Sequence, residues 1–437
     1  MFKHYRTSKN SLIPHELIEV FADYYQLILK VDKKKSFQNI IGFGGAFTES
    51  AAYTLSKVSK DQRNEVIESY YNKETGLNYN IGRVHINSCD FSLGNYTYIK
   101  DFDVELETFN IDRELTYVIP LIKDAEKVAG NKISLLASPW SPPAWMKSNN
   151  EMNNGGYLLP KYYEVWAKYY VKFIDEFKKH DLSIDYVSVQ NEPAAIQTWD
   201  SCIYSAEEER DFVRDYLGPI LHEKYPDIKI IIWDHNRDEI VKRGDTVLKD
   251  VKAREHVWGT GLHWYSKGHF EKLTELHDLH PDKHLLFTEG CIEGGVHLND
   301  WTTGERYARN MIGDFRNYCE GYIDWNITLD ETGGPNHVGN LCDAPIISDT
   351  IEQELIYNSS FHYIGHFSRH VLAGSKRIAS ELDSDKLQHV SFLTADNKIV
   401  LIVLNETENT YQVKLDLDSS YLVEIPARSI QTFIEGE

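Results

Sequence analysis

The sequence predicts an α/β fold: a (β/α)8 TIM barrel with a C-terminal antiparallel β-sandwich side domain. Three observations point to it. Eight short β-rich runs recur through the middle of the chain, amphipathic stretches of helical length separate them, and beyond Gly374 the apolar period becomes alternating. At 437 residues the chain exceeds the about 250 residues a barrel can use, which leaves room for a second unit.

In chain order the strands are expected over 39–44, 81–87, 133–137, 184–190, 228–233, 257–263, 284–288 and 322–327. Helices are expected over 59–71, 113–130, 161–180, 205–224, 238–251, 267–280, 301–320 and 352–371. The stretch 161–180 is the clearest, with Val165, Trp166, Tyr169, Tyr170, Phe173, Ile174 and Phe177 on one helical face. Parallel strands need a crossover each, so eight βα units in a row describe a closed barrel spanning 39–373. After it, 388–393, 399–405, 411–417 and 421–425 alternate apolar with polar residues, which predicts antiparallel strands. Residues 16–31 read as strand or helix and could pair with them, so the side domain is expected to comprise 1–38 and 374–437.

Lys and Arg total 46 against 67 Asp and Glu, a net charge of −21. That surplus repels phosphate backbones and anionic lipid surfaces, so a nucleic-acid partner is not expected. No apolar run reaches the roughly 20 residues of a membrane helix, so stable membrane insertion is not expected either. The N-terminal segment lacks the apolar stretch of a secretory signal, and the chain reads as cytoplasmic. Cys89, Cys202, Cys291, Cys319 and Cys342 are scattered with no CxxC pair, the pattern of buried free thiols. No HExxH occurs among the 18 histidines, so neither a metal nor another cofactor is expected. GFGG (42–45) lacks phosphate-loop spacing and reads as a tight turn allowing close backbone approach.

Barrel enzymes carry their chemistry at the C-terminal ends of the strands. Here those ends are polar and aromatic: Asp90 after the second, Trp140 after the third, Asn191-Glu192 after the fourth, Asp234-His235 after the fifth, His263-Trp264-Tyr265 after the sixth, Glu289 after the seventh and Trp325 in the eighth. Glu192 and Glu289 stand on opposite sides of the mouth. A facing carboxylate pair is what glycoside hydrolysis requires, with Glu192 as acid/base and Glu289 as nucleophile. Asn191 is placed to bond a sugar 2-hydroxyl. Arg83 and Tyr265 could keep Glu289 ionised, while Glu192 needs a raised pKa to carry its proton. Trp140 and Trp325 offer stacking platforms for sugar faces. His235 and His263 read as hydrogen-bonding residues of the pocket, and Cys291 as packed.

GFGGAFTESAA (42–52), RVHINSCDFSLGNYTY (83–98), LLASPWSPPAWMKSN (135–149), NEP (191–193), HWY (263–265), FTEGC (287–291) and DWNITLDETGGPNHVGNLCDAPII (324–347) together resemble the glucosylceramidase-type members of glycoside hydrolase family 30. The resemblance implies the same barrel and sandwich, a retaining mechanism, and the same roles for Glu192 and Glu289. It implies that Asp90, Trp140, Asn191, Trp325 and Asn340 bind the terminal β-glucosyl unit. The segment 194–202 is similar to bacterial members, His337 stands where an aromatic is common, and TES (48–50) replaces the more usual TDA. The expectation is a β-glucosidase acting on a small or oligosaccharide β-glycoside. β-Xylosidase and β-1,6-glucanase are the alternatives within the family, and a non-catalytic carbohydrate-binding barrel is the alternative outside it.

Overall fold

The computed structural model describes residues 2–9, 16–17, 24–417 and 419–435. Eight parallel strands close on themselves in chain order: Gly42–Ala46, Ile81–Ile86, Ser134–Pro139, Ile184–Ser188, Lys229–Asn236, Val257–His263, His284–Glu289 and Gly321–Asn326. Side chains two apart on a strand share a face, so the barrel interior is built in layers. Ile81, Leu136, Tyr186, Ile231, Leu286 and Ile323, from six strands, form one buried apolar cluster. One step further along five of those strands stand Arg83, Ser138, Ser188, Thr288 and Trp325, all buried. The apolar plug therefore carries a largely polar layer above it, toward the C-terminal mouth.

The expected turn at GFGG is instead the first barrel strand, which begins three residues later than the sequence suggested. Its glycines serve close approach, since a Cβ on Gly44 would lie 1.9 Å from the Ile81 carbonyl oxygen of the next strand. Asn39 ends a 13-residue strand, Leu27–Asn39, that belongs to the side sheet.

That long strand organises the side domain. It pairs antiparallel with Lys376–Leu382 and, at its other end, parallel with Tyr411–Asp416. Phe2–Ser8 pairs antiparallel with Ser429–Glu435, so both ends of the chain enter one nine-stranded sheet. The sheet folds over itself as a sandwich. Leu27, Leu29, Leu401, Val403, Val413, Leu415, Val423, Ile425 and Phe433 fill the space between its layers. The expected pairing of N-terminal residues with the C-terminal strands is present, although 18–23 of the 16–31 stretch lie outside the described residues. Strands Lys376–Leu382 and Ser429–Glu435 go beyond the four expected.

The outer face of this sheet packs on the barrel. Val390, Phe392, Val400, Ile402, Leu404 and Ile430 join the same buried cluster as Phe315 and Phe367. Those two belong to helices Trp301–Arg316 and Ser359–Ser368. Arg428 adds an ion pair to Glu305 at 2.6 Å across the seam.

Two expected helices are interrupted. The 113–130 stretch breaks at Tyr117 into Asp112–Thr116 and Val118–Ala129. In the 352–371 stretch, Glu354–Tyr357 pairs as a strand with Ile346–Asp349, and the helix starts only at Ser359. The cause is a tight turn in which Asp349 Oδ1 accepts the backbone N–H groups of Ile351 and Glu352.

Asp324, in the last barrel strand, accepts the Tyr307 hydroxyl at 2.7 Å and is buried. Burial pushes its carboxyl up to about 8. The folded chain thus keeps a proton that the unfolded chain loses above its ordinary value of 3.8, so this group's contribution weakens steadily as pH rises from about 4 to 8. Asp324→Asn removes that dependence. Thermal melts of the two proteins should diverge between about pH 4 and 8, the variant losing less Tm as pH rises, and parallel curves would refute the assignment.

Candidate active site

Arg83 lies at the centre of the polar layer, fully buried. Each of its five N–H groups has an acceptor. Nε donates to Ser138 Oγ at 3.1 Å, Nη1 to the Thr288 carbonyl at 3.2 Å and to Glu289 Oε2 at 2.7 Å, and Nη2 to Asn191 Oδ1 at 2.9 Å and Asp234 Oδ2 at 2.8 Å. Its guanidinium also lies 4.7 Å from the Trp140 ring centroid and 5.5 Å from that of Trp325. One side chain therefore ties the third, fourth, fifth and seventh strands together at the mouth.

Asp234 is brought inward by a bulge. Between Ile232 and His235 the fifth strand carries one residue more than the sixth, and Trp233 and Asp234 adopt φ of 69° and 45°. Buried Glu209 steadies the bulge by accepting the Trp233 N–H at 2.7 Å. Gly261 faces it, with room for no side chain: a Cβ there would meet Asp234 Cα at 3.0 Å. Asp234 Oδ1 accepts from Thr288 Oγ1 at 2.6 Å and faces His263 Nε2 at 3.1 Å. Burial raises its carboxyl, but Arg83 and His263 outweigh burial and hold it well below the ordinary range.

Glu289 receives a donor on each oxygen: Arg83 on Oε2, and the Tyr265 hydroxyl on Oε1 at 2.9 Å. Burial keeps the Tyr265 phenol far above its ordinary value, so it stays a donor. Burial also raises Glu289 itself, against the opposing pull of the His263 and Arg83 charges. Two donors on two oxygens suit the carboxylate, the form a nucleophile needs.

Glu192 stands opposite, its backbone in the left-handed region at φ 48° and its N–H bonded to the Asp234 carbonyl at 3.0 Å. His263 Nδ1 lies 3.1 Å from Glu192 Oε1 and 4.0 Å from Glu289 Oε1. One imidazole nitrogen bridging both groups accommodates the about 5 to 5.5 Å separation of a retaining pair. Glu192 does not show the expected raised pKa. Burial pushes it up, but His235 and His263 more than cancel this and hold it low. His263 shifts the other way: burial would lower it, but Glu289, Asp234 and Glu192 bring it up to about 9. His263 Nδ1 and Glu192 Oε1, 3.1 Å apart, are near enough for a proton to pass between them.

The cavity above these groups has a volume of about 230 Å3. Asp90, Trp140, Asn191, Tyr265, Trp325 and Asn340, all singled out from the sequence, line it together with Glu192 and Glu289. Arg83 and His263 support it from beneath. Trp140 and Trp325 stack with centroids 5.1 Å apart. Asn336 and Asn340 converge on Asp90 Oδ2 at 3.2 and 3.0 Å, while burial brings this carboxyl up to about 7. Trp264 packs in the core against Phe287 and Tyr307, and Trp199 lines the cavity.

Sequence reasoning gave no role to Asp234, Thr288, Ser138, Gln197 or Cys342. Position at a strand end pointed to Asp234, but the bulge that turns it inward has no sequence signature. Gln197 Nε2 reaches Glu192 Oε2 at 3.3 Å from the following loop. Cys291 borders the cavity, its thiol raised by contact with Cys342 and by burial, which keeps it unreactive.

A closed (β/α)8 barrel with two buried carboxylates facing each other across a sugar-sized, tryptophan-lined cavity defines a glycoside hydrolase. Residues 40–371 match the glycosyl hydrolase family 30 TIM-barrel domain, and 374–433 match the beta sandwich domain of the same family. The chain belongs to glycosyl hydrolase family 30, whose members work with retention. It is 36% identical to putative glucosylceramidase 3 of Caenorhabditis elegans, over 93% of this chain and 81% of that protein. It is 34% identical to the lysosomal acid glucosylceramidase of Mus musculus, over 93% and 83%. Among solved structures, SrfJ from Salmonella typhimurium superposes with a TM-score of 0.95 at 34% identity, covering 100% of this chain and 99% of that one.

Replacing Arg83 by Lys keeps a charge but loses the planar fork that spans four strands. Arg83→Lys should lower kcat/KM by about 100-fold or more and reduce stability by roughly 1–3 kcal/mol, because an ammonium has three donors for the five buried acceptors and leaves some unsatisfied. Kinetics and denaturant melts of the purified variant check this, and near-wild-type values in both would remove Arg83 from its central place.

Proposed function

We propose that the protein is a β-glucosidase that releases a terminal β-linked glucosyl unit, with Glu289 as nucleophile and Glu192 as acid/base. The observation that carries this reading is the cavity itself. It is smaller than the about 300 to 1,000 Å3 typical of sites for drug-sized ligands, and Asp90, fixed by Asn336 and Asn340, forms part of its wall. Such a space suits one sugar ring whose hydroxyls reach Asp90, and the glucosylceramidase names of the relatives favour glucose over xylose. A β-1,6-glucanase acting inside a chain would need the pocket to stay open past that ring.

In the first step Glu289 attacks the anomeric carbon as its bond to the leaving oxygen breaks, and the proton held between His263 and Glu192 passes through Glu192 to that oxygen. In the second, Glu192 takes a proton from water, the water oxygen bonds the anomeric carbon, and Glu289 departs. Asn191, its Oδ1 held by Arg83, presents its amide toward the 2-hydroxyl, and Tyr265 releases and regains its bond to Glu289 as charge leaves and returns.

An aryl β-glucoside should be hydrolysed with β-glucose as the first product by NMR, whereas first-formed α-glucose would overturn the mechanism. Glu192→Ala should cut turnover of alkyl glucosides on the order of 10^4-fold while sparing the first step for good leaving groups, which need little protonation. Equal losses for both classes would remove Glu192 as the acid.

A further inference from the structure

Three ligand-type atoms converge beside Glu192 in a way that proton transfer alone does not require. One ligand atom from each of Glu192, His235 and His263 lies within 4.8 Å of the other two, the one such cluster among the described residues. His235 Nδ1 is 3.4 Å and His263 Nδ1 3.1 Å from Glu192 Oε1. A tetrahedral zinc ion with ligands at about 2.0–2.2 Å spaces its donors roughly 3.3–3.6 Å apart, so the two edges from Glu192 to the imidazoles need little adjustment, and the histidines lie near enough to close the triangle.

Two further observations point to a ligand. His235 is 9% exposed, yet its Nδ1 is buried without a hydrogen bond while facing the Glu192 carboxylate. Buried polar atoms of this kind are normally satisfied, and an ion would satisfy this one. His263 meanwhile sets its far nitrogen, Nε2, 3.1 Å from Asp234 Oδ1, the outer carboxylate that orients a metal-binding imidazole. The charges agree: Asp234, Glu192 and Glu289 surround a single permanent cation, Arg83.

We infer that Glu192, His235 and His263 form a reversible site for a divalent ion of the zinc type, a two-histidine, one-carboxylate set with its fourth position open to the cavity. The ion takes the place of the proton shared by Glu192 and His263. It thereby occupies the oxygen that must protonate the leaving group, and it inhibits in competition with glycoside. Magnesium, which prefers oxygen ligands, should bind far more weakly.

Titration of the full chain with Co2+ tests this directly, because a tetrahedral site gives Co2+ an intense visible spectrum that added Zn2+ abolishes. Wild-type protein should show that spectrum, and Zn2+ should inhibit aryl glucoside hydrolysis with a matching constant. His235→Gln should weaken Co2+ binding at least about 10-fold with an unchanged circular dichroism spectrum. Glu192→Gln serves the same purpose should the first variant not fold. A wild-type protein without the tetrahedral spectrum, or variants that bind Co2+ as tightly as wild type, would overturn the proposal. The spectrum is read without substrate, so its failure is separate from any failure of the hydrolase reading.

Discussion

The site depends on one buried guanidinium. Arg83 cannot lose its charge, and because it is fully buried every one of its donors needs an acceptor. Meeting that demand draws Glu289, Asn191, Asp234, Ser138 and the Thr288 carbonyl to fixed places. Two of these, Glu289 and Asn191, line the cavity. The cost of burying the cation is offset by the groups whose positions the chemistry needs, and Trp140 and Trp325 pack beside it with rings that also line the substrate cavity.

From this centre the charges sort themselves. Asp234 compensates Arg83 and, through His263, extends its influence to the opposite carboxylate. The two facing carboxylates are thereby joined by a continuous path: Glu289, Arg83, Asp234, His263, Glu192. In the mechanism proposed above, the proton for the departing aglycone is drawn from this path and reaches the leaving oxygen through Glu192. The strain at Glu192, with its left-handed backbone, is held by its own N–H bond to the Asp234 carbonyl, so the bulge in the fifth strand positions both the relay and the acid.

The fold was legible because it follows from periodicity, and the meeting of Glu192 and Glu289 at one cavity follows from the fold. Glu192 and Glu289 end apolar runs, and strand ends in a barrel converge on one mouth. Asn340, in a loop beyond the eighth strand, reached the site only through resemblance to a family. Asp234 was visible as a strand-end residue, but the one extra residue that turns it inward leaves no trace in composition. The low Glu192 carboxyl was illegible for a different reason: it depends on two histidines from other strands, and sequence holds no distances. In the side domain, Lys376–Leu382 escaped because Ala379 and Ser380 blur the alternation. The helix expected from residue 352 failed because Asp349 folds the backbone into a hairpin first.

The most direct test of this arrangement is to trap the covalent intermediate. A 2-deoxy-2-fluoro-β-glucosyl fluoride slows release more than attack, so the adduct should accumulate, and peptide mass spectrometry should locate the fluoroglucosyl group on Glu289. The account predicts one label per chain at that residue. A label on Glu192 or elsewhere, or turnover of β-glucosides with no adduct at all, would contradict it.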